Sequence, residues 1–309
     1  MTSPIGVLKQ FVFPSLRRIA PEKSDYLISE IKNDGITFRF VSDECRILFT
    51  ADSKQKIINV GEKCLERLWA MSYAYFVFYE SMCKAKHKGP SIETIDIGGD
   101  SELKKAGELL SWAISVDWQL RVEGKYLATP LPEWPVSLPK PIENPEKGTN
   151  EDIADKLFLS AVGFILHHEL AHIRFRHMKT EGVESVLNEK DADREAAKWL
   201  LDGLEQTDMQ LVQRVFGIAA ALIWLASLDA YVPHSSDSHP PGYDRLYQIL
   251  SSLVDEKWHP VWGFVSIALR LHLDASSAAF NTEMTHETPQ DAVNYYCDVL
   301  SQRFRGDGN

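Results

Sequence analysis

Read for its hydrophobic and polar positions, the chain changes character half-way along. Residues 24–33 carry a helical pattern that Ser24 opens and Gly35 closes. Ile36, Phe38 and Phe40 then alternate with Thr37, Arg39 and Val41, the period-two signature of a strand. Residues 46–50 and 56–60 read as two more strands around a turn at Ala51-Asp52-Ser53, so a small antiparallel sheet is expected. From residue 61 to 82 the period lengthens to that of a helix, with Leu65, Leu68, Trp69, Tyr73 and Phe76 on one broad face. The aromatic cluster there (Trp69, Tyr73, Tyr75, Phe76, Phe78, Tyr79) reads as core rather than as a docking surface, since aromatic side chains dominate core energetics. A further helix starts near Ser101 and buries Leu103, Ala106, Leu110 and Ala113.

Six prolines between residues 129 and 148 (Pro130, Pro132, Pro135, Pro139, Pro141, Pro145) disfavour helix and sheet alike and predict an extended connector. Beyond the connector the pattern is strongly helical. The expected organisation is an N-terminal α+β region at 1–128, the connector at 129–148 and a helical region at 149–309, as separate units or as one integrated domain. The next helix begins near Asn150, a good capping residue, with Glu151 and Asp152 complementing the positive helix end. Ile153, Leu157, Ala161, Phe164 and Ile165 line one face, and the same stripe runs on into His168 and His172.

Histidines four apart sit one above the other on a helix and can share an ion, while Glu169 lies one residue round, within reach of a water held there. By itself this His-Glu-x-x-His pattern is weak, since a chain of this length and histidine content shows one by chance about one time in fifty. A catalytic zinc also needs a third ligand and an open position. Seventeen residues beyond His172 the stretch EKDADREAA supplies Glu189 as that ligand and Asp193, on the same face, to accept the outer N–H of a ligating histidine. Ala192 and Ala196 let the two helices approach closely. Phe175 and Met178 stand where the metzincin extension needs glycine and histidine, so the glutamate-ligand class of zincin fits, and His167 and His177 are not expected as ligands. Further on, SHPPGYDRL offers His239 and Arg245, with Tyr243 a weaker candidate, as donors to a developing oxyanion.

Bulk properties narrow the picture. A net charge of −11 argues against nonspecific binding to nucleic acid or anionic membranes. The longest apolar run, residues 215–228, is short for a bilayer and reads as a buried helix. The N-terminus lacks the apolar core of a signal peptide, and the four cysteines show no ligand or CxxC spacing, so a cytoplasmic protein with reduced thiols is expected.

Taken in order, HELAH, EKDAD and SHPPGYDRL resemble the motifs of the HtpX-type metallopeptidases, without those enzymes' membrane helices. That resemblance implies His168, His172 and Glu189 as zinc ligands, Glu169 as base, Asp193 behind the ligands, and His239 with Arg245 as oxyanion donors. A closer resemblance is to the Lit family of phage-exclusion peptidases, carried by RRIAPEK (17–23), LKKAGELLSWA (103–113), FILHHELAH (164–172) and DREAAKWLL (193–201). It implies a zinc endopeptidase that a phage-derived peptide activates to cleave translation elongation factor Tu. The fold implied is α+β and zincin-like, with the sheet beside the helical catalytic half and an edge strand within residues 36–60 holding extended substrate. Two other readings stay open: a zincin that cleaves a regulatory protein such as a repressor, and a partner-binding module with a relic zinc site that docks through the aromatic helix.

Overall fold

The computed structural model describes residues 3–41, 49–88, 99–121, 131–176, 183–205, 209–229, 240–275 and 285–304. Two short helices, α1 (Lys9–Val12) and α2 (Ser15–Arg18), lead into α3 (Ser24–Asp34). Gly35 ends α3 in the left-handed region (φ 67°), where glycine meets no steric penalty, and its N–H returns to the carbonyls of Ile31 and Lys32.

Three strands come next: β1 (Thr37–Val41), β2 (Phe49–Asp52) and β3 (Ile57–Gly61). The sheet order is β1-β3-β2, with β2 antiparallel and β1 parallel to β3. The sheet is therefore mixed, not wholly antiparallel as the alternation led us to expect. Period-two patterning reports which face a residue occupies and is blind to strand direction. The turn lies at residues 53–56, two positions later than expected. Asp52 sets it: its Oδ1 accepts the N–H groups of Lys54 (3.0 Å) and Gln55 (2.9 Å), a side-chain turn that lets β2 run on through Asp52. Positions 46–48 of the expected strand lie outside the described residues.

Helices α4 (Glu62–Lys88) and α5 (Ser101–Arg121) pack together, and α4 also lies on α6 (Asn150–Arg174). Trp69, Tyr73, Tyr75 and Phe78 are buried in the core, as are Leu103, Ala106, Leu110 and Ala113, so the aromatic helix is core as expected. Residues 131–148 form no helix or strand. The cap of α6 is Thr149, one residue before the expected Asn150; its Oγ1 accepts the Asp152 N–H while Asp152 accepts the Gly148 N–H at 2.7 Å.

The remaining helices are α7 (Val183–Leu201), α8 (Met209–Asp229), α9 (Gly242–Leu253), α10 (Pro260–Ala275) and α11 (Pro289–Phe304). Helix α8 is long and apolar enough to cross a membrane by length and composition, yet 67% of that apolar window is buried against the rest of the fold. At Gly217 it meets α6 so closely that a Cβ would lie 2.4 Å from Ser160 Cβ. The buried apolar residues form one cluster running from Ile5 to Leu300.

Where α4 meets α6, the Trp69 indole N–H donates to the buried Asp155 carboxylate at 2.6 Å. Burial pushes the Asp155 pKa from 3.8 up to about 6, partly opposed by that hydrogen bond. A carboxyl raised on folding binds its proton more tightly in the native state. Its contribution is thus fully present below the unfolded value near 4 and is lost as pH rises through about 6. Asp155→Asn keeps an acceptor for Trp69 and should remove that loss, raising stability at pH 7.5 by roughly 1–3 kcal/mol with little effect at pH 4. Denaturant unfolding at the two pH values checks this; equal effects at both would mean that Asp155 does not titrate in this range.

Candidate metal centre

Helix α6 remains core-facing to its last turns, so His168 and Glu169 are buried and His172 nearly so. His168 Nε2 and His172 Nε2 lie 3.1 Å apart. Helix α7 crosses them and brings Glu189, whose two carboxylate oxygens each stand 3.4 Å from one of the histidines. His168, His172 and Glu189 together offer ligand atoms all within 4.8 Å of one another, a set able to hold a metal ion.

Asp193, one turn on from Glu189 and almost wholly buried, approaches His168 Nδ1 at 2.9 Å. That contact fixes the ring with Nε2 turned to the cluster. Behind both carboxylates stands Arg245 from α9. Its Nε and Nη2 donate to the Asp193 oxygens at 2.7 Å each, and Nη1 is 3.1 Å from Glu189. The approach of α9 depends on Gly242, where a Cβ would sit 2.6 Å from backbone atoms of Leu225 and Ala226.

The donor set suits zinc on two counts. Metal–ligand bonds of about 2.0–2.1 Å in a tetrahedron place neighbouring ligand atoms about 3.3–3.4 Å apart, close to the 3.1–3.4 Å seen here. With His168 and His172 neutral, as ligation requires, Glu169, Glu189 and Asp193 are three carboxylates against the guanidinium of Arg245, leaving two negative charges at the site. One divalent cation neutralises them.

The titration pattern has its cause in the same groups. Burial raises the Glu169 carboxyl above its usual 4.5, opposed by His168 and His172. Burial also acts to raise Glu189, but hydrogen bonds from both histidines and the charge of Arg245 outweigh it and hold Glu189 well below the carboxylate range. For His168, burial disfavours the imidazolium, yet Asp193 and Glu189 carry its pKa up to about 10. A cation at Nε2 competes with that proton.

His167, not expected to ligate, points away and donates from Nε2 to the Leu16 carbonyl at 3.1 Å, tying α6 to α2; its burial keeps it neutral, with a pKa pushed down to about 3. Tyr243 is buried in the core. His177 and His239 lie outside the described residues. Two contacts escaped sequence reading: Ser53 Oγ donates to the His172 carbonyl at 3.1 Å, and Arg174 grips Glu30 through a pair of 2.6 Å bonds. Both join residues more than a hundred positions apart, a separation that no local spacing reveals.

Residues 58–265 match the peptidase U49 family. The chain belongs to the peptidase U49 family. Among curated proteins, this U49 peptidase is similar to the "Cell death peptidase" of Escherichia coli (strain K12), with 30% identity over 255 residues, covering 81% of this chain and 82% of that protein. The resemblance to the phage-exclusion peptidases is thereby borne out, and the chain is a protease. No solved structure matches it.

Proposed function

We propose that this U49 peptidase is a zinc-dependent endopeptidase of the glutamate-ligand zincin type. The observation that carries the reading is the convergence of His168, His172 and Glu189 beside a buried Glu169 that is not one of the ligands. These three residues would hold zinc, which when bound polarises the scissile carbonyl and lowers the pKa of a water from about 15.7 towards about 7. Glu169 receives the proton of the attacking water and passes it to the leaving amine. Asp193 keeps the His168 ring oriented. Arg245 holds Asp193 and Glu189 in register, a positioning part that its contacts support better than direct contact with the oxyanion. His239, which precedes Pro240, Pro241 and the start of α9 at Gly242 in the chain, is the proposed oxyanion donor.

For the substrate strand we propose β2. It is an edge of the sheet, it packs on α6, and the turn after it touches the His172 carbonyl through Ser53. An extended segment adding to the side of β2 that no described strand pairs with would pass the helix carrying His168 and His172. The family resemblance supports a cytoplasmic role in anti-phage defence, with elongation factor Tu as the substrate and a phage-derived peptide as activator.

The test is metal analysis of the purified protein beside Glu189→Ala. We expect about one zinc per chain in the native protein and a loss of at least about tenfold in affinity in the variant. A native protein that takes up no zinc when it is supplied would sink the reading.

A further inference from the structure

The family match begins at residue 58, yet the segment before it is fastened to the back of the two metal helices. Lys23 donates to the Trp199 carbonyl at 2.7 Å, and Arg214 of α8 donates to the Leu200 carbonyl at 2.5 Å while gripping Glu22 at 2.7 and 3.0 Å. These cations satisfy carbonyls of the last turn of α7 that have no partner within the helix. They also hold α3 in place.

From that anchored α3, Glu30 reaches Arg174, two residues after His172. Arg174 Nε and Nη2 donate to the two Glu30 oxygens, both at 2.6 Å, in the fork geometry that only a guanidinium provides. Its Nη1 lies 3.6 Å from Glu195 of α7, and its guanidinium sits over the Trp199 ring, 4.7 Å from the centroid. Glu195 comes two residues after Asp193 and six after Glu189. One side chain therefore joins α3, the end of α6 that carries His172, and the stretch of α7 that carries Glu189.

We infer that the Arg174–Glu30 pair is a positioning clasp for the metal centre, setting the spacing between His172 and Glu189 from behind; this rests on the zinc reading of the site. The ligands come from two helices, and a site of this kind tolerates about 0.5 Å of misplacement. The buried Ala192 and Ala196 allow close packing of α7, but small side chains add no directional contact behind the ligands. The clasp, held from a third element, supplies that directional contact.

The test is the zinc dissociation constant of the full-length protein, measured by competition with a chromophoric chelator, for the native chain, Glu30→Gln, Arg174→Lys and the pair combined. Melting temperatures are recorded with and without zinc. We expect each single variant to bind zinc about tenfold more weakly, and the combined variant to be no worse than the weaker single one, because the two residues act as a unit. Lower melting temperatures with native zinc affinity would overturn the inference, making the pair a fold-stabilising bridge alone. A native chain that binds no zinc would overturn the zinc reading itself, and the clasp with it, so the two failures are told apart.

Discussion

Glu169→Gln is expected to keep its zinc and lose cleavage, by about a hundred- to ten-thousandfold in kcat. The amide is nearly the size of the carboxylate, so the buried position is filled as before and the ligand atoms of His168, His172 and Glu189 are untouched. What disappears is the ability to accept a proton. The substitution removes one of three neighbouring carboxylates but none of the ligands, so zinc affinity should fall far less than turnover. The assay is the appearance of new N-termini in a cell extract treated with native or variant protein, together with metal analysis of both. Cleavage that survives in the variant removes Glu169 as the base. If the protein that gains new termini is not factor Tu, the substrate proposal falls while the peptidase chemistry stands.

Arg245→Ala is expected to weaken zinc binding and fold stability together. Arg245 is the guanidinium held among Asp193, Glu189 and, close by, Glu169, and its bonds run to the first two at 2.7–3.1 Å. Truncation leaves buried carboxylates facing one another without their cation, a change that typically costs about 3–5 kcal/mol. Because zinc binds the variant more weakly, a given zinc concentration adds less stability, so the melting temperature of the variant should rise less with zinc than that of the native protein. Arg245→Lys should recover part of the stability, since it restores the charge but not the two-pronged grip on Asp193. The opposite pattern, native zinc affinity with a large loss of turnover, would return Arg245 to the oxyanion role that its motif implies.

The sequence by itself determined the grouping of His168, His172 and Glu189 and the helices that carry them. Four-residue spacing on a helix is a local rule, so HELAH and EKDAD each disclosed which residues share a face. The continuation of an apolar stripe into His168 and His172 marked that face as buried. Likewise the aromatic helix, the proline-rich stretch and the closure of α3 at Gly35 arise from periodicity and backbone preference, which act over a few residues. Tertiary structure decided what joins distant segments. The direction of β1, the choice of β2 as the edge beside α6, and the grip of Arg245 on Asp193 and Glu189 all depend on packing across long separations. Arg245 shows the difference well. Its motif marked it as important to the site, but whether a guanidinium faces the substrate or stands behind the ligands depends on where α9 docks. That docking turns on the backbone contact at Gly242, which a string of residue types does not encode locally.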